Sequence, residues 1–341
     1  MSNRLPAEWE AQDGVLLAWP HADSDWHPIL DEVEPVFVHI ATRISRFEKV
    51  LIVAPEPQAV AENLRQAGAH MERVRLYALP ANDTWSRDFG PITVLQKGRP
   101  LLLDFGFNGW GLKFASNHDN QITRLLHEAG AFGKTERRSI GLILEGGSIE
   151  SDGCGTLLTT AECLLNPNRN PHLDRSEIEA ALAPLLGADH FLWLEHGYLA
   201  GDDTDSHVDT LARLCPDDTI SYVRCDDPED EHFDALGRME KELQALRTRD
   251  GRPYRLNPLP WPCPRYDEEG QRLPATYANY LVVNGAVLVP TYRDLNDAAA
   301  LAAIGDAFPG RQIIGVDCLP LILQHGSLHC VTMQIPQGVL P

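Results

Sequence analysis

Apolar residues in this chain fall into short unbroken runs that stop at proline, glycine or a charged residue, with longer stretches of helical spacing between them. Val15-Leu16-Leu17-Ala18-Trp19 stops at Pro20, and Val50-Leu51-Ile52-Val53-Ala54 stops at Pro55. Such runs predict strands covered on both faces. Between these two, Val33, Phe37, Ile40, Ala41 and Ile44 predict a helix over 31–47, and a second helix is expected over 58–67 with Gly68 as its stop. The theme returns. Ile92–Leu95 and Leu101–Asp104 flank Lys97-Gly98 as a hairpin, a helix over 121–129 follows, and Leu142-Ile143-Leu144 ends an apolar strand at Glu145-Gly146-Gly147. Ser151-Asp152-Gly153 turns into a strand over 156–160. Ser176-Glu177-Ile178-Glu179 reads as a capping box opening a helix that ends at Gly187, and Phe191–Leu194 is the next strand. A helix is expected over 234–249, a long proline-rich loop able to act as a lid over 253–264, and a hairpin at Asn284-Gly285. A helix over 296–308 and a strand over 312–316 lead to His325-Gly326-Ser327-Leu328-His329-Cys330 and a final alternating run.

The rhythm of hairpin, helix, strand and polar loop predicts one closed α/β domain over residues 1–341, with no linker to divide it. No G-x-G-x-x-G turn follows any strand, which argues against a dinucleotide fold.

Composition narrows the function. With 49 acidic against 29 basic residues, the net charge of -20 disfavours nucleic acid and anionic membrane as partners and favours the approach of a small cation. Seven cysteines without a C-x-x-C pair suggest neither a disulfide framework nor a zinc site. The stretch Met1–Glu10 lacks the apolar core of a signal peptide, and no apolar run is long enough to span a bilayer. A reduced, cytoplasmic protein is therefore expected. Its state of assembly, homo-oligomer or monomer, is left open.

Four places can carry chemistry. Cys330 stands at a loop-to-strand junction, where a thiol with a lowered pKa is a strong nucleophile, although free cysteines are more often core residues. Asp88 follows Trp85 and Arg87 in a glycine–proline loop, where it could equally cap a turn or pair with Arg87. Glu145 emerges from a buried strand and needs a partner, catalytic or structural. His207 and Asp209 would face one cavity if the backbone is extended, or would open a helix through Leu211 and Leu214. A metal site from Asp203, Asp205, His207 and Asp209 lacks the recognised ligand spacings. If thiol, histidine and carboxylates converge, the substrate they suit is a guanidinium. Carboxylates match its N–H donors in pairs, and its charge-delocalised carbon demands both a strong nucleophile and rigid clamping.

Pro6-Ala7-Glu8-Trp9-Glu10, Trp19-Pro20-His21, Asn82 through Pro91, Glu145-Gly146-Gly147-Ser148-Ile149, Leu157 through Asn166, His207-Val208-Asp209 and Leu328-His329-Cys330 together resemble the agmatine deiminase family, in the family's order and over nearly the whole chain. The resemblance implies a pentein α/β propeller, five ββαβ units with pseudo-fivefold symmetry around a central active-site channel. It implies Cys330 as nucleophile and His207 as general acid and base. Asp88 and Asp209 would hold the guanidinium, Glu145 would orient His207, and Trp85 would line the channel. It implies agmatine as the substrate, with no cofactor and no metal. The sequence departs at the catalytic loop, where the family's common Gly-Gly-Asn-Ile-His-Cys reads His325-Gly326-Ser327-Leu328-His329-Cys330. The alternatives are a deiminase of free arginine or peptidyl-arginine, and a catalytically silent binding protein of the same fold. In the expected reaction protonated His207 supplies the leaving ammonia with its proton.

Overall fold

A computed structural model describes residues 3–341. Met1 and Ser2, the start of the stretch read for a leader, lie outside the described residues. Among the described residues six sheets form; beside a two-stranded pair of 265–266 with 272–273, five are built to one pattern, an antiparallel pair extended by a parallel strand. Strands 92–96 and 99–106 pair antiparallel, and 136–143 joins 99–106 in parallel. The same holds for 149–151, 156–160 and 190–194, for 212–215, 219–223 and 255–259, and for 281–283, 286–291 and 312–317. In the remaining sheet the antiparallel partner of Gln12–Ala18 comes from the far end of the chain. Met333–Pro336 pairs with it, Leu16 opposite Met333 and Gln12 opposite Pro336. The parallel neighbour of 12–18 is 49–54, and 74–78 lies beyond it.

A parallel pair needs a crossover, and each is made by a helix: 30–44, 57–66, 122–128, 175–182, 233–245 and 297–307. The middle strands are covered on both faces, as their unbroken apolar runs require. Every residue of 156–160 and of 219–223 is buried. The hairpin at Lys97-Gly98 turns tightly because both residues take left-handed backbone, φ 53° and 76°.

Three expectations need correction. The proline-rich stretch over 253–264 is not only loop, since Arg255–Leu259 is the parallel edge strand of its sheet. Edge placement is what permits Pro258 there. The helix over 175–182 is capped by Asp174 rather than Ser176: the Asp174 carboxylate accepts from Glu177 N at 2.9 Å and Glu177 answers on Asp174 N. His207 does not begin a helix reaching Leu214; a single turn over 208–210 gives way to the strand 212–215. Among the described residues no helix is long and apolar enough to cross a membrane. All seven cysteines are free thiols.

Candidate active site

The segment entering the first strand of each of these five sheets carries a polar side chain. Asp88 precedes 92–96, Glu145 precedes 149–151, His207 and Asp209 precede 212–215, Asn279 precedes 281–283, and Cys330 precedes 333–336. Five equivalent loops thus supply the candidate chemistry, rigid scaffold behind and functional side chain in front. All six side chains are buried.

Asp88, His207 and Asp209 crowd around Gly147. A β-carbon there would stand 2.6 Å from His207 Nδ1, 2.9 Å from Asp88 Oδ1 and 3.2 Å from Asp209 Oδ2, so only glycine lets the three approach one another. Asp88 does not pair with Arg87. Arg87 instead reaches the His329 carbonyl and Gln334, while Asp88 Oδ1 accepts from Gly147 N and Oδ2 from the Trp110 indole, both at 3.0 Å. Burial, and then the neighbouring charge of Asp209, push the Asp88 carboxyl well above the usual range.

Trp110 is delivered by an unusual turn. Gly109, Trp110, Gly111 and Leu112 all have positive φ (66°, 53°, 87° and 67°), one turn of left-handed helix closed by Leu112 N on Asn108 O at 2.9 Å. Left-handed backbone costs a residue with a β-carbon about 1–2 kcal/mol, and Trp110 and Leu112 both bear it. The strain is offset where Trp110 binds Asp88 and packs edge-on against Phe107 and Phe114.

Asp209 is gripped on one side only. His329 Nδ1 is 2.7 Å from its Oδ2, while Oδ1 is buried without a partner. Burial raises the Asp209 carboxyl, but its bond to His329 and that ring's charge outweigh it and hold the group below its ordinary value. His329 Nε2 faces Glu8 Oε2 at 2.7 Å, and Arg213 bridges Glu8 and Glu150 at 2.7 and 2.5 Å. Asn279 braces the cysteine loop, its Oδ1 accepting from His329 N at 2.8 Å and from Cys330 N at 3.2 Å. Sequence reasoning missed Asn279, Trp110, Glu8 and Arg213. Asn279 is a lone amide in the otherwise apolar approach to a hairpin, and that was the available signal.

Both ring nitrogens of His207 are buried without a partner, and its Nδ1 stands 3.5 Å from Asp88 Oδ1. Burial takes this imidazole down to about 3 despite the opposing charge of Asp209, so it is neutral across the physiological range. The Cys330 thiol is pushed well up, first by burial and then by Asp209 and Asp88. Glu145 lies within 4.8 Å of His207 and Cys163, yet both its oxygens accept from Arg169 Nε at 3.0 Å. Arg169 also escaped the sequence reading. Among the described residues a second group, Glu8, Glu150 and His329, is equally close. Each group already holds a buried arginine, a poor environment for a metal cation. Asp205, weighed as a ligand, pairs with Lys113 at 2.8 Å and Arg169 at 2.5 Å.

A cavity of about 160 Å³ opens over Cys330, Asp88, Trp85 and Trp110. Trp85 lies against Gly326, where a β-carbon would come within 2.1 Å of the indole. Four further aspartates line the same space, Asp25, Asp83, Asp202 and Asp203, and among the described residues no lysine or arginine does. His207, Asp209 and Glu145 do not line it; they form a buried layer against Asp88 and Gly147.

Comparison with known proteins places the chain. Residues 4–336 match the model of the Porphyromonas-type peptidyl-arginine deiminase family, and the chain belongs to that family, among its agmatine deiminases. An agmatine deiminase of Pseudomonas aeruginosa is 33% identical over 98% of this chain and 95% of its own length. An agmatine deiminase of C. jejuni, solved with substrate bound, is 40% identical with a TM-score of 0.92, covering 99% of this chain and 97% of that one. A Porphyromonas gingivalis protein provisionally described as an arginine deiminase is 52% identical with a TM-score of 0.95, over 99% and 100% of the two chains.

Proposed function

We propose that this protein hydrolyses agmatine to N-carbamoylputrescine and ammonia within a single catalytic domain spanning residues 1–341. The observation that carries the choice of substrate is the lining of the cavity. The thiol, Asp88 and four further aspartates line it together, and among the described residues no lysine or arginine does. A molecule cationic at both ends suits it. The α-carboxylate of free arginine would meet only like charge, which costs several kcal/mol. The peptidyl-arginine reading, which the family's description carries, brings no second cation for the further aspartates to meet. A silent binding protein would have no use for a buried thiol beside unpartnered histidine and carboxylate atoms.

In this reading the five sheets form a pentein propeller around a pseudo-fivefold axis, with the active site in the central channel. Asp88 and Asp209 clamp the guanidinium, whose N–H groups supply the donors that Asp209 Oδ1 lacks. The clamped charge lowers the thiol pKa. Cys330 Sγ attacks the central carbon while neutral His207 takes up the thiol proton. His207 then passes that proton to the departing ammonia, leaving an S-linked thiouronium. It next removes a proton from water, the hydroxide adds to the same carbon, and the C–S bond breaks to release the ureido product and regenerate the thiol. Glu145, anchored by Arg169, places its charge near the imidazolium formed in each half. A reduced, cytoplasmic setting fits seven unpaired thiols.

An ammonia-release assay comparing agmatine, arginine and an N-blocked arginine peptide tests the substrate. Agmatine should lead in kcat/KM by about 100-fold or more, the scale of an uncompensated charge. Preference for either arginine substrate overturns this reading. Trp110→Phe should lower kcat/KM for agmatine by about 10- to 150-fold, as expected for a hydrogen bond to a charged group worth about 1.5–3 kcal/mol. Steady-state kinetics decide it, and an unchanged value would remove Trp110 from the site.

A further inference from the structure

We propose that His325 is a specificity-determining strap that fixes the distance between the two ends of the cavity and so selects substrate length. The inference rests on the reading of the substrate as a guanidinium and an amine joined by a methylene chain. His325 occupies left-handed backbone, φ 65°, a conformation that glycine adopts freely and a histidine adopts at a cost. What the side chain gains there is one bond to a second loop, its Nδ1 standing 2.8 Å from the carbonyl of Gly201.

The two loops so joined both contribute lining residues to the cavity. On the nucleophile side, Gly326 is pressed against Trp85, Ser327 Oγ bonds Tyr292 Oη at 2.9 Å, and Cys330 follows. On the acidic side, Gly201 packs so closely on the Arg272 carbonyl that a β-carbon would lie 2.3 Å from it. Ala200 N is held on His232 Nε2 at 2.8 Å. From Gly201 the segment runs braced into the site. The Asp202 carboxylate accepts from Thr204 Oγ1 at 2.6 Å and Ser206 N at 2.7 Å, and Thr204 Oγ1 accepts from His207 N at 3.0 Å. Asp202 and Asp203 line the cavity from this loop, as His325 and Cys330 do from the other. The described structure thus sets their spacing through the His325–Gly201 bond.

The test compares three guanidinoalkylamines, with three, four and five methylenes, on wild type, His325→Gly and His325→Asn. Glycine keeps the backbone and deletes the bond. Asparagine tolerates the left-handed region and carries an amide nitrogen on Cγ, where histidine carries Nδ1. Wild type should prefer the four-methylene substrate, agmatine, by about tenfold over its neighbours, the scale on which one methylene is read. His325→Gly should flatten that preference mainly by raising KM for agmatine, and His325→Asn should restore it. Wild-type ratios retained in the glycine variant, or an asparagine variant as flat as glycine, overturn the proposal. Hydrogen exchange without substrate separates this from the reading of the substrate itself. Amides 199–206 should exchange faster in His325→Gly than in wild type, and equal exchange removes the strap whichever guanidine the enzyme prefers. Failure of wild type to act on agmatine, with faster exchange in the variant, overturns the substrate and leaves the strap standing.

Discussion

Cys330→Ala should release no ammonia from agmatine yet still bind it, because the substitution takes the nucleophile and leaves the carboxylates. Binding is read as a rise in melting temperature with added agmatine. A near-normal rate would falsify the assignment. The sharper expectation concerns how the thiol is switched on. Burial, Asp209 and Asp88 hold Cys330 as a thiol, and burial takes the His207 pKa down to about 3, so no imidazolium waits to stabilise a thiolate. Neutral alkylating reagents such as chloroacetamide should therefore react slowly. A cation in the clamp changes the sign of the local field, and an opposite charge at about 4–6 Å moves a pKa by about 1–3 units. Chloroacetamidine should accordingly gain about 10- to 1000-fold over chloroacetamide beyond their ratio on free cysteine, read by mass spectrometry of the Cys330 peptide. An enzyme that alkylates equally with both would lose the substrate-triggered thiolate.

Removing a clamping carboxylate comes next in size. Asp88→Asn and Asp209→Asn should each cost about 2–5 kcal/mol in kcat/KM, about 30- to 5000-fold, since each leaves a buried cation short of its partner. The pH profiles should separate the two residues. Asp88 must be ionised to clamp, and burial together with Asp209 has raised its pKa, so activity falls as pH drops through that raised value. Asp209→Asn removes one cause of the rise and should carry the acid limb of the remaining activity to lower pH. In Asp88→Asn that limb should vanish. The folding equilibrium runs the opposite way: a carboxyl raised in the native state binds more protons than in the unfolded chain, so its contribution to stability diminishes as pH climbs from the ordinary carboxylate range through the raised value. Full activity in both variants, measured on agmatine over the pH range, would sink the clamp.

The elements that sequence reading found share a property: their side chains repeat with the period of the backbone. The buried run 50–54, the helix over 30–44 and the turn at Lys97-Gly98 could be read because packing or backbone sterics leaves one solution. Strands 74–78 and 255–259 lie at sheet edges, where one flank is free and the residues need not be apolar, so Arg75 and Asn257 hid them. The site divides in the same manner. Cys330, Asp88, Glu145, His207 and Asp209 stand out in polar or glycine-bearing loops. Their supports do not, because Arg169, Arg213 and Glu8 act through partners far away in sequence, and nothing local marks such a pairing. The left-handed turn at 109–112 escaped for another reason. Two of its residues are not glycine, and only its tertiary contacts make that conformation tenable.

The antiparallel partnership of 12–18 with 333–336 governs how the enzyme comes into being. The earlier-made strand 12–18 must wait for 333–336, and so must Glu8 for His329, 321 positions further on. Loop closure over nearly the entire chain makes that sheet a late step in folding. The thiol enters the site through the same closure, three residues ahead of the strand that completes it. A chain nicked or still unfinished before 333 therefore carries Asp88, Glu145, His207 and Asp209 without the strand that seats Cys330 among them.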